Sequence, residues 1–268
     1  MTKLMVLIFL LTSTLFSSEN TGIHVQPRKL INCLTAGSLP KGHYDVNFNF
    51  SQGGSLNSAI DVGLTNRLSL GIAYQVMGLI GQDDIRGQSF PGGFLKYRLI
   101  EESYSFPAFA LGFESQGSGY FFKKSMSEYY FPRFYYKSKG LFASLSKSYL
   151  LIGMPLGFHL EGNYSFIDNQ ADSELKNRHP DVSCGMDIGI NDEISLLIEY
   201  DAALDDNNTR NPLKGYLNTG LRWFIVSSLV IEIDLIDLLE NKDMIDEFGN
   251  KHAQEMSREV RISYIDRF

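Results

Sequence analysis

Positive charge is in short supply. The 268 residues carry 24 Lys and Arg against 31 Asp and Glu, a formal charge of -7, and no basic stripe runs along the chain. Nothing is therefore offered to neutralise phosphates, and no nucleic-acid partner is expected. Cysteine is nearly absent. Cys33 and Cys184 allow one disulfide at most, and Cys184 lies among alternating apolar residues where a thiol behaves as a small hydrophobe, so their pairing is left open. Histidine is scarce too. Of His24, His43, His159, His179 and His252, only His159 falls securely mid-strand, and no His-x-Ser arrangement sets a nucleophile beside it. A polar wall residue is favoured there over a catalytic base, and no catalytic residue is expected. The acidic stretch 201–208 lacks EF-hand spacing, and Gly117-Ser-Gly119 lacks the lysine of a phosphate loop, so neither a metal nor a cofactor is expected.

Long apolar runs are missing as well, apart from one at the N terminus that ends near Phe16 and is short for a membrane helix. With Lys3 before it and Ser17-Ser18 after it, residues 1–18 read as a secretory signal peptide. Cys33 follows Asn32 and stands far from that run, which argues against lipidation. Residues 19–42 contain Pro27, Gly37 and Pro40 and show no sustained alternation. They read as an N-terminal leader segment ahead of a domain spanning 43–268, a plain leader being favoured over a plug or lining.

What the chain has in quantity is aromatic residues, 19 Phe and 14 Tyr, and period-two alternation. Leu56, Ser58, Ile60, Val62 and Leu64 alternate with small or polar residues. After Thr65-Asn66, Leu68, Leu70, Ile72, Tyr74 and Val76 do the same. The unit returns from Asp187 to Tyr200 and more weakly from Asn218 to Asp234, so one hairpin is repeated. The whole pattern gives an all-β chain of about twelve strands of about ten residues, the length of a tilted transmembrane strand. A short helix is expected within 238–247. Connections are short at 65–66, 101–105, 147–154, 191–193 and 226–228 and long nearly everywhere between, as in a transmembrane up-and-down antiparallel barrel.

The apolar face is nearly free of charge. The opposite face carries Arg67, Lys96, Arg98, Glu114, His159, Glu161, Asp187, Glu199, Arg222, Glu232, Asp234 and Arg261. Because a charge costs about 2 to 4 kcal/mol against lipid at midplane, these residues are expected to face the lumen. Arginine at Ile72 or Ile198 should then block assembly, while Ser69→Arg should not. Pairing of Arg98, Arg222 and Arg261 with Glu114, Glu232 and Glu259 would leave a narrow lumen of mixed charge.

The terminal segment Arg258 to Phe268, with Val260, Ile262, Tyr264 and Phe268 on one face, resembles the last strand of bacterial outer-membrane barrels. That resemblance implies recognition by the barrel-assembly machinery, and outer-membrane lipid and lipopolysaccharide as surroundings. The segments Thr35 to Val46, Gly63 to Gly71 and Lys96 to Glu102 are similar to YjbH-type barrel proteins, which implies an envelope location and a link to exopolysaccharide. The expectation is thus a non-enzymatic outer-membrane barrel with a structural or transport role. A porin-like channel for small solutes or saccharides and a soluble periplasmic ligand-binding barrel are the alternatives, with an outer-membrane hydrolase as a minor one.

Overall fold

The structure is a computed structural model that describes residues 27–81, 84–122, 133–165, 179–206, 208–245 and 251–268. The signal-peptide reading and most of the 168–181 loop lie outside the described residues. Twelve strands form the barrel: β1 (His43–Ser51), β2 (Ser55–Gly63), β3 (Leu68–Met77), β4 (Gly92–Ile100), β5 (Ala108–Glu114) and β6 (Gly140–Leu151), then β7 (Met154–Tyr164), β8 (Asp181–Gly189), β9 (Ile194–Asp201), β10 (Tyr216–Val226), β11 (Leu229–Ile236) and β12 (Ser257–Arg267). Each pairs antiparallel with its neighbours in sequence. The barrel closes where β1 meets β12, with His43 opposite Arg267 and Phe50 opposite Val260. Closure leaves no edge strand unpaired, which is the condition for spanning lipid with strands.

The repeated hairpins sit where the sequence placed them. β2 and β3 register Val62 on Leu70 and Ile60 on Ile72, and β8 and β9 register Ile188 on Leu196 and Met186 on Ile198. Residues 64–67, 101–107, 152–153, 190–193 and 227–228 connect strands on one side, where both ends of the barrel chain also lie; the three-residue turn 52–54 is the short connection on the other side. The unclear parity before Lys147 resolves at Gly140, where Tyr164 faces both Gly140 and Leu141 in a bulge. On the long-loop side, Ser118–Phe122 pairs with Arg133–Tyr136, and Asp243–Ile245 pairs with Lys251–Ala253. The second of these ladders replaces the helix expected within 238–247, because Asp243 and Met244 find cross-strand partners in Ala253 and His252.

Period two separates two faces. Outward point Ile60, Ile72, Leu111, Leu141, Leu160, Trp223 and Ile233, with Ile72 64% and Ile233 56% exposed. A soluble barrel buries such a set; a belt this continuous on the outside is the surface of a transmembrane barrel. Val260, Ile262 and Tyr264 of β12 belong to that outer face, and Phe268 packs tilted against Tyr44 with centroids 5.0 Å apart.

The fully buried apolar side chains lie inside. Leu30, Ile31 and Cys33 pack with Leu197 and Ile236, two apolar inner-wall positions of β9 and β11. Ala36 packs with Ala108 and Ala110 of β5. Residues 27–42, read from sequence as a plain leader, are therefore the lumen's occupant.

Candidate functional site

The chain rises into the lumen from the short-turn side. Pro40 and Leu39 pass β2 at Gly63, where a Cβ would lie 2.7 Å from the Leu39 carbonyl oxygen, so glycine is needed for this close approach. The segment then folds back on itself: Lys29 bridges Leu34, the Leu30 amide donates to the Cys33 carbonyl at 2.9 Å, and the Thr35 amide to the Arg28 carbonyl at 3.2 Å. The result is a compact hairpin inside the barrel. Its backbone polar groups, cut off from water, need partners from the wall.

Those partners are the charges of the inner face. One oxygen of Glu199 accepts the amides of Ile31, Asn32 and Cys33 at 3.0, 2.8 and 2.7 Å, and its other oxygen accepts from Asn218 at 2.8 Å. Glu161 accepts the Leu34 amide at 2.6 Å. Lys96, 1% exposed, donates from Nζ to the carbonyls of Arg28, Thr35 and Gly37 at 2.8, 3.0 and 3.0 Å. Arg222 donates to the carbonyls of Lys29 and Leu30, and Arg261 to that of Ile31 at 3.0 Å. Anions thus hold the tip's amides while cations hold carbonyls on both arms. The hairpin answers with Arg28, which pairs with Asp45 and, at 2.8 Å, with Asp61. Hydrogen bonds to charged groups contribute about 1.5 to 3 kcal/mol each, so this cradle outweighs any single apolar contact.

Arg222 and Glu232, opposite each other on β10 and β11, pair at 2.6 Å. Arg261 joins Glu232 from the other side and lies 3.9 Å from Asp234. The other expected pairings differ. Glu259 accepts from Asn49 at 2.8 Å. Glu114 stands opposite Phe94, with Lys29 of the hairpin 4.0 Å away. Arg98 binds the Asn66 carbonyl at the rim. Arg67 corrects the sequence reading, because it lies in the turn before β3, is exposed and pairs with Glu101 at 3.1 Å. The lumen at Ser69 is likewise full, with that residue 1% exposed, so Ser69→Arg is not the tolerated change the alternation suggests.

His159 has partners that lie far from it in sequence. Its Nδ1 is 2.8 Å from Ser146 Oγ and its Nε2 2.7 Å from Asp187 Oδ1. Gly157 leaves room for the second contact, since a Cβ there would fall 2.9 Å from His159 Nε2. The residue types are those of a hydrolytic triad, but the Ser146 hydroxyl also accepts the Ala36 amide at 2.8 Å. Ser146 and His159 are both buried, at 5% and 6% exposed, and with the hairpin seated the group anchors Ala36.

Beside the hairpin, against β1 to β5 and β10 to β12, lies a cavity of about 180 Å³. A smaller one of about 40 Å³ lies above the tip under the long loops. There Lys242, fully buried, pairs with Asp206 inside a cage of Tyr135, Tyr136 and Tyr216 whose ring centroids are 4.8, 5.3 and 5.6 Å from its ammonium. Burial lowers the Lys242 ammonium to about 8, against the opposing pull of Asp206. Burial alone would raise the Asp206 carboxyl, but Lys242, Arg133 and Lys137 together hold it well below the usual carboxylate range. Among the described residues no group of three His, Cys, Asp or Glu side chains forms a metal site. Cys33 and Cys184 are both free.

The hairpin left one signal in the sequence that the charge pattern overshadowed. Gly63, Ser69, Gly71 and Ala73, Ala108, Ala110 and Gly112, and Ser144 and Ser146 all face inward. Such small residues do not fill a barrel of this size by themselves.

No protein-family model matches the chain, and no curated protein matches it by sequence. Among solved structures it is similar to the KdgM porin, at 8% identity and a TM-score of 0.44, over 83% of this chain and 98% of that one. It is similar also to the NanC porin, at 10% identity and a TM-score of 0.38, over 84% and 99%. An outer membrane channel from Pseudomonas putida F1 aligns at 12% identity and a TM-score of 0.36, over 85% and 97%. Likeness this loose tells nothing of what the chain carries, and the assignment as a closed twelve-stranded antiparallel transmembrane barrel stands on its own strand pairings and outer apolar belt.

Proposed function

We propose that this protein is an outer-membrane channel held closed by its own N-terminal hairpin, conducting when residues 27–42 leave the lumen. The observation that carries the reading is the cradle of Glu199, Glu161, Lys96, Arg222 and Arg261, whose charges are spent on the backbone of the hairpin. The belt of exposed apolar residues supports a membrane location, and the β12 residues Val260, Ile262, Tyr264 and Phe268 support assembly by the barrel-insertion machinery into lipid and lipopolysaccharide. With the hairpin gone, the bared wall would present Asp45, Asp61, Glu161, Glu199, Glu232, Asp234 and Glu259 against Lys96, Arg222 and Arg261. That excess of acid favours cations and neutral solutes over anionic polysaccharide. A link to exopolysaccharide rests on the YjbH-type likeness of the sequence segments and is read here as passage or handling of neutral saccharide.

The test is conductance in planar bilayers. The intact protein should show low, rare openings, and a variant lacking residues 27–39 should show large, stable, cation-selective ones. Equal conductance in the two would overturn the gate. Heat-modifiable gel mobility and outer-membrane fractionation check the location, and recovery from a detergent-free periplasmic extract would refute it.

A further inference from the structure

We propose that the 180 Å³ cavity beside the hairpin is a binding site for a small, neutral, polyhydroxylated solute. The proposal rests on the closed-lumen reading above and names what the seated state holds. Four residues that line it each hold one side-chain oxygen buried without a partner: Asp45 Oδ1, Asn49 Oδ1, Asn57 Oδ1 and Gln116 Oε1. Asp45, Asn49 and Gln116 are 1%, 6% and 7% exposed. Flipping the Asn49 and Gln116 amides gives no remedy, because Asn49 Nδ2 donates to Glu259 at 2.8 Å and Gln116 Nε2 to Gln88 at 3.1 Å. All four orphans are acceptors, so the missing partner is a donor several times over.

Charge then narrows the class. Arg28, Lys29, Arg222 and Arg261 on the lining are matched one for one by Asp45, Asp61, Glu114 and Glu232, and those cations already face those anions at hydrogen-bond or ion-pair distance. A site with no net charge gives a carboxylate no free donor, and gives an ammonium only the acceptors a hydroxyl would use, with no net anion to offset its larger desolvation cost. It does suit a polyol, whose hydroxyls donate to the orphan oxygens while its C–H face packs on Phe94 and Phe224, which share the cavity. Several waters fit the same space, and a solute that satisfies the same acceptors while covering the two rings displaces them favourably.

Calorimetric titration of the intact, folded protein in detergent micelles tests this, with xylitol and glucose as neutral probes and gluconate and glucosamine as charged ones. Saturable millimolar binding of a neutral probe is expected, with both charged probes weaker by about fivefold or more. Asn57→Ala should weaken the neutral probe by about fivefold to tenfold, and Ala59→Phe, which fills the cavity from β2, should abolish binding. Heat-modifiable mobility establishes that each variant is folded, and Asn57→Ala carries the test if Ala59→Phe fails to assemble. No saturable heat with either neutral probe, tighter binding of a charged probe, or unchanged binding in Asn57→Ala would overturn the proposal. Conductance enters none of these readouts, so their failure leaves the gate standing, and a failed gate leaves them measurable.

Discussion

Replacing Glu199 with glutamine removes one charge and keeps the shape, so it isolates what the carboxylate does for the hairpin. In the native lumen three amides converge on one oxygen at 2.7 to 3.0 Å while Asn218 Nδ2 donates to the other at 2.8 Å. A glutamine must give its single oxygen to the amides and turn its NH₂ toward Asn218, which sets donor against donor. Asn218 cannot turn to relieve this, because its Oδ1 already accepts the Asp237 amide at 2.9 Å. Three charge-assisted bonds weakened by about 1 kcal/mol each, plus one unsatisfied donor at about 1 to 3 kcal/mol, come to about 4 to 6 kcal/mol of lost seating. A loss of that size shifts the seated-to-withdrawn ratio by about a thousandfold or more.

Cys33 supplies the assay. It is fully buried at the hairpin tip, so a membrane-impermeant maleimide reaches it only on withdrawal. In a Cys184→Ala background, whose thiol would otherwise lie exposed on the outer face, labelling of Cys33 should be slow with Glu199 and fast with Glu199→Gln, in step with channel opening. If labelling and conductance both stay at the native level in a folded Glu199→Gln barrel, the cradle does not hold the hairpin and the reasoning fails.

Lys96→Met should act in the same direction, because it removes the ammonium that three hairpin carbonyls share; single-channel open time reads it, and no change counts against the cradle. Gly63→Val should also open the channel, since its side chain would occupy the path of Leu39 and Pro40, with Cys33 labelling as the readout. Ile72→Arg on the outer belt should block assembly at a cost of about 2 to 4 kcal/mol, whereas Asn57→Arg, facing the cavity, should assemble; a membrane-insertion assay finding equal yields refutes the orientation. Asp206, held below its ordinary range by Lys242 and Arg133, stabilises the outer loops fully above about pH 4, and that contribution is lost as acidity rises through its folded value. Near-UV circular dichroism of the tyrosine cage should therefore fade on acidification, and Lys242→Ala, which leaves Asp206 short of its partner, should make it fade at higher pH.

Alternation, turn chemistry and connection length determined the barrel. Strand existence, the repeated hairpin from 56 to 76 and from 187 to 200, the short-turn side and the identity of the outer face are local properties, written into residues two apart, and no distant contact was needed to fix them. The sequence also marked which polar residues turn inward, apart from Arg67, whose place in a turn takes it out of the alternation. What these inward charges face was decided only in three dimensions. Glu199 and Ile31, Lys96 and Thr35, His159 and Asp187 or Ser146 are far apart along the chain, and barrel closure alone brings them together. The leader carries no strand period because its backbone bonds to wall side chains rather than to a ladder, so its place as the plug was invisible to any reading of periodicity. Lumen charges that alternate like those of an open, ion-paired pore are in fact a mould for a segment of the same chain, and only the closed barrel sets the two face to face.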